Sequence, residues 1–338
     1  MGFSDEEVMI RGTVAEFASK QLEPRVRGAG GTPGWLGATF GDLAELGLCG
    51  LLSPESVGGF DAGPVAFVLA VEELARVCPS TAAVFLGHVA WAAAPAAANG
   101  SSMAEALATG ERLASVAVVP PGVEGNGEVC VSAVPVITDC PLVVVVGEEE
   151  VRLVDSQAPF SIENSGRVLG LRAAGLCDVR IRGFGSGELW KSVSRDLPRL
   201  GHAALLCGLA DSALRRALQQ ARERFQFGQS IGSFGGIRIY LSESSSSLAC
   251  VRALLFDVAR EMASGGGPTV SRRVLQARLA AGEIAQKVTD RAVQIFGGYG
   301  YCEEYDVERH YRDAQAARVL FESPRALRDE LATLLLED

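Results

Sequence analysis

Two short runs toward the C-terminus carry residue types that can hold a phosphorylated or flat ligand. The first is Arg224-Phe225-Gln226-Phe227-Gly228 and the second is Gln294-Ile295-Phe296-Gly297-Gly298-Tyr299-Gly300-Tyr301. Glycine has no Cβ, so a ligand can approach the backbone closely at Gly297 and Gly298. A guanidinium such as Arg224 matches the geometry of phosphate oxygens. Plainer roles compete. A glycine run after an apolar helix is also a C-cap and turn, and Arg224 can be a solvated cation complementing a helix C-terminus. The acidic cluster Glu303, Glu304, Asp306 and Glu308 suits a solvated face, with Glu308 and Arg312 at i, i+4 ion-pair spacing. Tyr299 and Tyr301 can line a ligand or pack against their own turn.

Composition excludes several classes. Net charge is −10 and the sequence pI about 5.0. That argues against a general nucleic-acid binder or an anionic-membrane protein, since both need a basic surface. The eight cysteines include no C-x-x-C pair, so no metal site is expected. Their apolar surroundings read as reduced thiols in a cytoplasmic protein. The acidic N-terminal run through Glu7 is no secretory signal. The apolar stretch 82–98 contains His88 and Pro95 and is short for a bilayer span of about 20 residues, so a buried helix pair is expected. Three histidines, His88, His202 and His310, read as packed or solvated side chains rather than members of a triad. No Walker loop, G-x-S-x-G or H-E-x-x-H occurs.

The elements that position these residues come in the order helices, sheet, helices. Residues 1–112 read as an N-terminal helical domain, with a capping-box pattern at Ser4 and Glu7 and a helix over about 63–77. Cys78-Pro79-Ser80 opens another helix. Residues 113–187 read as a small β-domain with runs at 114–119, 129–131, 136–138, 142–146, 151–154 and 179–181. Residues 188–338 read as a C-terminal helical domain, with helices at about 196–226, 237–263, 269–296 and 323–336. The serines 244–247 should weaken the second of these locally. Without βαβ alternation or a G-x-G-x-x-G after a strand, a Rossmann fold is excluded.

The two opening runs are similar to motifs of the acyl-CoA dehydrogenase family. Gln294, Gly297, Gly298 and Gly300, then Glu304-Tyr305 and Arg312-Asp313, resemble its Q-x-x-G-G-x-G turn, acidic-aromatic stretch and R-D pair. Arg224, Phe227 and Gly228 resemble its R-x-x-F-G. Leu169-Gly170-Leu171-Arg172 resembles its late β-strands, and Ser53-Pro54-Glu55 with Glu72-Glu73-Leu74-Ala75 its helical opening. The resemblance implies an α+β, mostly α fold: N-terminal helical domain, small middle β-domain and C-terminal four-helix bundle. It implies FAD lying across a dimer interface. One subunit's β-domain would hold the flavin ring, and the partner's C-terminal domain the pyrophosphate. Arg224 would then pair with pyrophosphate, Phe227 pack beside the cofactor, Gln294, Gly297 and Gly298 supply polar and backbone contacts, and Thr138 contact the flavin.

The chain also departs from the family. The flavin-side loop, a T-E-P-x-x-G-S-D pattern, reads as the poorly matching 118–127. Val136 stands where an aromatic would cover the flavin, and Phe234-Gly235 replaces an F-Q contact. The β-domain is short. The reaction needs a carboxylate at the carbon next to a thioester carbonyl. The two family positions for it fall on Phe321 and Pro198. Glu322, one residue late, is the candidate base, with helix capping before Pro324 as its plain alternative. The leading expectation is an FAD-linked dehydrogenase of an acyl thioester, carried on CoA or a carrier protein, assembled through the C-terminal domain. Its rivals are a catalytically silent subunit of a hetero-oligomer, serving a neighbour's FAD, and a non-redox enzyme of the same fold.

Overall fold

The computed structural model describes residues 2–28, 33–120, 128–136, 142–147, 150–154, 160–164, 166–182, 187–191 and 193–337. Helix α1 (Asp5–Phe17) starts at the capping box: Ser4 Oγ accepts from Glu7 N–H at 3.1 Å, and Glu7 Oε2 accepts from Ser4 N–H at 2.8 Å. A π-helical turn joins it to α2 (Glu23–Gly28). Then follow α3 (Leu36–Glu45), α4 (Gly63–Val77), α5 (Pro79–Leu86), α6 (Ala94–Ala98) and α7 (Ala104–Ala108). The stretch expected as a helix pair is instead one helical run, Pro79–Ala98, mostly buried in the core. A π-helical segment, Gly87–Ala93, bridges α5 to α6. It ends two residues before Pro95, which sits in the first turn of α6.

The strands are β1 (Ala114–Val118), β2 (Glu128–Pro135), β3 (Leu142–Val146), β4 (Val151–Val154), β5 (Phe160–Asn164), β6 (Leu176–Arg182) and β7 (Glu188–Trp190). They form a four-stranded sheet, β1-β3-β4-β7, and a three-stranded sheet, β2-β6-β5. β1 and β3 pair in parallel; every other pair is antiparallel. The continuous apolar run of β3 is buried on both faces. Leu142, Val144 and Val146 join the main core, whereas Val143 and Val145 join a second core shared with Val131, Val179 and Ile181 of the facing sheet. The run expected at 129–131 is longer in the structure: β2 continues to Pro135 through an irregularity between Val131 and Val134, where Ala133 has φ +56°. Of the run expected at 136–138, residues 137 and 138 lie outside the described residues.

The remaining elements are α8 (Asp196–Glu223), a small hairpin β8 (Phe225–Gln226) and β9 (Gln229–Ser230), α9 (Gly235–Ala263), α10 (Val270–Phe296), α11 (Val307–Val319) and α12 (Pro324–Glu337). α8 is the axis of the molecule and packs against α4, α5, α9, α10 and α11. The serines at 244–247 do not interrupt α9. Ser244 is buried and accepts from Arg291 Nη1 at 3.4 Å.

Charged groups cross the α4–α8–α9 contact. Glu72 is fully buried, pairing with Arg252 Nε at 2.6 Å and Arg76 Nη2 at 3.4 Å. Arg76 also pairs with Glu73, and with Asp211 at 2.7 Å. Removing one partner of a buried pair leaves the other charge desolvated. Glu72→Ala should therefore cost about 3 kcal/mol in urea unfolding; the value sits low in its range because Arg76 keeps two carboxylates.

All three histidines are buried and hydrogen-bonded. His88 bonds Leu107 O (3.0 Å) and accepts from Ala114 N–H (3.3 Å), His202 donates to Ala317 O (2.8 Å), and His310 contacts Asp306 O (2.8 Å) and Ser212 Oγ (2.9 Å). Burial pulls His88 down to about 4 and His310 to about 3, and pulls His202 well below its ordinary 6.5, with Arg278 adding to that last effect. These rings stay neutral in the folded state but protonate near pH 6.5 when unfolded. Their stabilisation is complete above pH 6.5 and is lost as pH falls toward 4 and 3. Urea midpoints measured from pH 7 to pH 4 should fall, with up to about 1.4 kcal/mol lost per pH unit per histidine.

Candidate functional site

A cleft of about 920 Å³ opens between the sheets and the α11–α12 end of the helical bundle. Its apolar floor includes Val116, Val118, Val131 and Leu176 from the strands, Val319 at the end of α11 and Leu320 just beyond it. Arg195, Gln315, Glu322, Asp329 and Glu330 supply its polar groups. This size and mixture suit a small-molecule site.

The R-D pair builds the cleft rather than lining its floor. Asp313 is buried and accepts from Leu171 N–H at 2.7 Å, and Arg312 Nη1 donates to Leu169 O at 2.9 Å. Gly170 packs so tightly on the Arg312 carbonyl that a Cβ there would collide with it. These contacts fasten the segment before β6 to α11 and so set the distance between the cleft's walls.

Glu322 lies in that wall. Arg199, near the start of α8, donates from Nε to Glu322 Oε2 at 2.9 Å and from Nη2 to Oε1 at 2.7 Å. The same guanidinium donates to Glu330 of α12 at 2.7 and 2.6 Å. Arg195 adds a bond to Glu322 Oε1 at 3.2 Å. Burial would raise the Glu322 carboxyl, but the Arg199 bonds and charge, with Arg195 and Arg278 behind them, outweigh it and hold the group below its ordinary value. Glu322 is thus a carboxylate at neutral pH, and bidentate to Arg199. The preceding residue, Phe321, has φ +63°, and Glu322 N–H bonds Leu320 O at 2.8 Å across it. This tight turn sends Phe321 and Glu322 in different directions.

The glycine and arginine runs meet elsewhere on the helical bundle. The Arg224 guanidinium stacks over the Tyr299 ring, 4.7 Å from its centroid. Arg224 forms no ion pair among the described residues. Phe227 and Gly228 are the two loop residues of the β8–β9 hairpin, with φ +50° and +80°, as a two-residue turn with positive φ at both positions requires. Phe227 is 92% exposed and touches Phe234 edge-on. Gly297 (φ +62°) and Gly298 have no neighbour where a Cβ would be, whereas Gly300 is pressed on the Val293 carbonyl. The open glycines, the partly exposed guanidinium and the exposed Gln294 fit the approach of a diphosphate. Thr138 lies outside the described residues. The structure therefore groups Arg224 with Gly297 and Gly298, and places Glu322 separately at the cleft.

Sequence reasoning did not single out Arg195 and Arg199 as partners of Glu322. A second cleft, about 560 Å³, is lined by Arg216, Arg309 and Arg312, which pair with Asp306, Asp313 and Glu308. Among the described residues, no group of three or more His, Cys, Asp or Glu is placed to hold a metal.

This geometry can be set beside known proteins. The acyl-CoA dehydrogenase N-terminal domain matches residues 4–106, and the acyl-CoA dehydrogenase C-terminal domain matches residues 194–321. The probable acyl-CoA dehydrogenase YngJ of Bacillus subtilis is 28% identical over 93% of this chain and 93% of its own length. The short-chain specific acyl-CoA dehydrogenase of Clostridium acetobutylicum is 25% identical, again over 93% of both. The structure of butyryl-CoA dehydrogenase from Megasphaera elsdenii superposes with a TM-score of 0.86 at 21% identity, over 99% of both chains. The helical units flanking paired sheets and the two matched domains place this chain in the acyl-CoA dehydrogenase family.

Proposed function

We propose that the chain is a cytoplasmic FAD-linked dehydrogenase acting on an acyl thioester carried by CoA or a carrier protein. The observation that carries this reading is the 920 Å³ cleft, apolar on its floor, with the Glu322 carboxylate in its wall. Arg224, Gly297, Gly298, Gln294 and Phe227 would hold the cofactor's diphosphate end, and Thr138 its flavin side. FAD supplies the hydride acceptor. Glu322 would take the proton from the carbon next to the thioester carbonyl, which requires it to loosen its bonds to Arg199. The exposed Phe225, Phe227 and Tyr301 favour assembly of C-terminal domains into a homo- or hetero-oligomer. The described cysteines are free, in keeping with a cytoplasmic setting.

A second reading is favoured by one specific observation. Both Glu322 oxygens are engaged by Arg199, and by the resemblance Phe321 would stand where the family carries its base. A chain so arranged suits a catalytically silent subunit that presents Arg224 and its glycines to a neighbour's FAD.

The visible spectrum of the purified chain separates the two. Near-stoichiometric FAD supports the first reading, and a colourless folded protein supports the second. In a flavin-containing preparation, Arg224→Ala should weaken FAD binding about 10- to 100-fold, as expected for a lost charge-assisted hydrogen bond. If Glu322 is the base, Glu322→Gln should lower turnover at least about 100-fold, and unchanged turnover removes it from that role. Because Arg199 holds the Glu322 carboxyl below its ordinary value in the free protein, the acid limb of wild-type kcat/KM should lie below the ordinary carboxylate range.

A further inference from the structure

We propose that Phe321 is a plug that closes the inner end of the cleft and restricts the acyl group to a short chain. The proposal rests on the thioester reading above and adds the substrate's size. The Phe321 ring packs edge-on against His202 of α8, with centroids 5.8 Å apart. Its tip reaches the π-helical segment that follows α5, since a Cβ built on Gly87 would lie 3.7 Å from Cζ and 3.4 Å from a Val116 methyl. The ring therefore spans from the α11–α12 turn to α8 and the π-helical segment, where Val116 of β1 also packs. Among the described residues, no side chain of α4, α5, α6 or α8 lines the cleft. An alkyl tail entering past Val116 and Val118 meets the phenyl ring before it can run between those helices.

The backbone supports the same conclusion. Phe321 has φ +63°, a conformation that is strained for a bulky side chain. Such a conformation persists only where its surroundings impose it. Here the Leu320 O···H–N Glu322 bond and the Arg199 grip on Glu322 hold both sides of the turn. His202 cannot yield easily, because it donates to Ala317 O at 2.8 Å. The ring is held in place, not resting there.

The test measures binding of S-butyryl- and S-octanoyl-pantetheine to the purified full chain by calorimetry; pantetheine is common to CoA and carrier proteins. Each buried methylene strengthens binding about fourfold, so an open tail channel would favour octanoyl by about 200-fold. With the plug, wild type should bind the two within about threefold, since added methylenes stay in water. Phe321→Gly removes the ring and suits the positive φ; it should bind octanoyl at least about tenfold more tightly than butyryl. Phe321→Ala should show the same preference and serves if the glycine variant misfolds. A wild-type preference for octanoyl of tenfold or more overturns the plug but leaves the thioester reading standing. Equal binding of both ligands by wild type and by a folded variant also overturns it. Failure of wild type and variants to bind either ligand overturns the thioester reading, and the plug with it.

Discussion

One guanidinium organises the working end of this molecule. Arg199 leaves α8 and grips two carboxylates from different elements, Glu322 in the α11–α12 turn and Glu330 in α12. α12 buries only Leu327 fully and otherwise rests on α10, with an exposed Arg328–Glu283 ion pair at 3.1 Å. With Arg199 in place, the turn is fixed, Phe321 faces inward, and α12 forms a wall. A bidentate pair has both strength and direction, so the contact that stabilises the turn also decides which side chains face the cleft. The same contact ties up both oxygens of Glu322, the carboxylate proposed above as the base.

The opposite wall depends on a carboxylate that is buried, Asp313. Asp313 bonds the backbone N–H of Leu171, and Gly170 lets that backbone sit against α11. Sheets and bundle are thus joined by main-chain contact, which tolerates few substitutions and little slack. Burial raises the Asp313 carboxyl, while Arg309 and the Leu171 N–H oppose that effect. The R-D pair is accordingly a joint, and its importance to a ligand is indirect.

Much of the helical architecture was legible because long helices repeat their apolar face many times. The expected 63–77 helix is Gly63–Val77, and those near 269–296 and 323–336 are Val270–Phe296 and Pro324–Glu337. The sheets were harder. β5, Phe-Ser-Ile-Glu-Asn, alternates over only four residues and β7 is three residues long, so neither pattern is long enough to stand out. The β2 irregularity at Ser132-Ala133 looked like a break because a turn and a bulge use the same small residues. At the site, the glycine and arginine runs could be recognised, but their meeting through Tyr299 could not. The partners of Glu322 were illegible for a related reason: Arg195 and Arg199 lie far away in sequence, and ion pairs leave no periodic trace. Nor did the F-G motif disclose that its residues are the two corner positions of a hairpin.

The two-faced burial of β3 bears on how the chain reaches this structure. Leu142, Val143, Val144, Val145 and Val146 are nearly alike on both faces. Ordinarily a one-residue slip is penalised because it turns polar side chains inward. In β3 it would exchange valine for valine, so side-chain polarity gives almost no restoring force. The correct alignment must come from the neighbours, the parallel pairing with β1 and the antiparallel pairing with β4. Parallel pairing closes a long loop and forms late. During folding, β3 is therefore the element with the least information about its own place, and misaligned collapsed states are the natural kinetic trap of this chain.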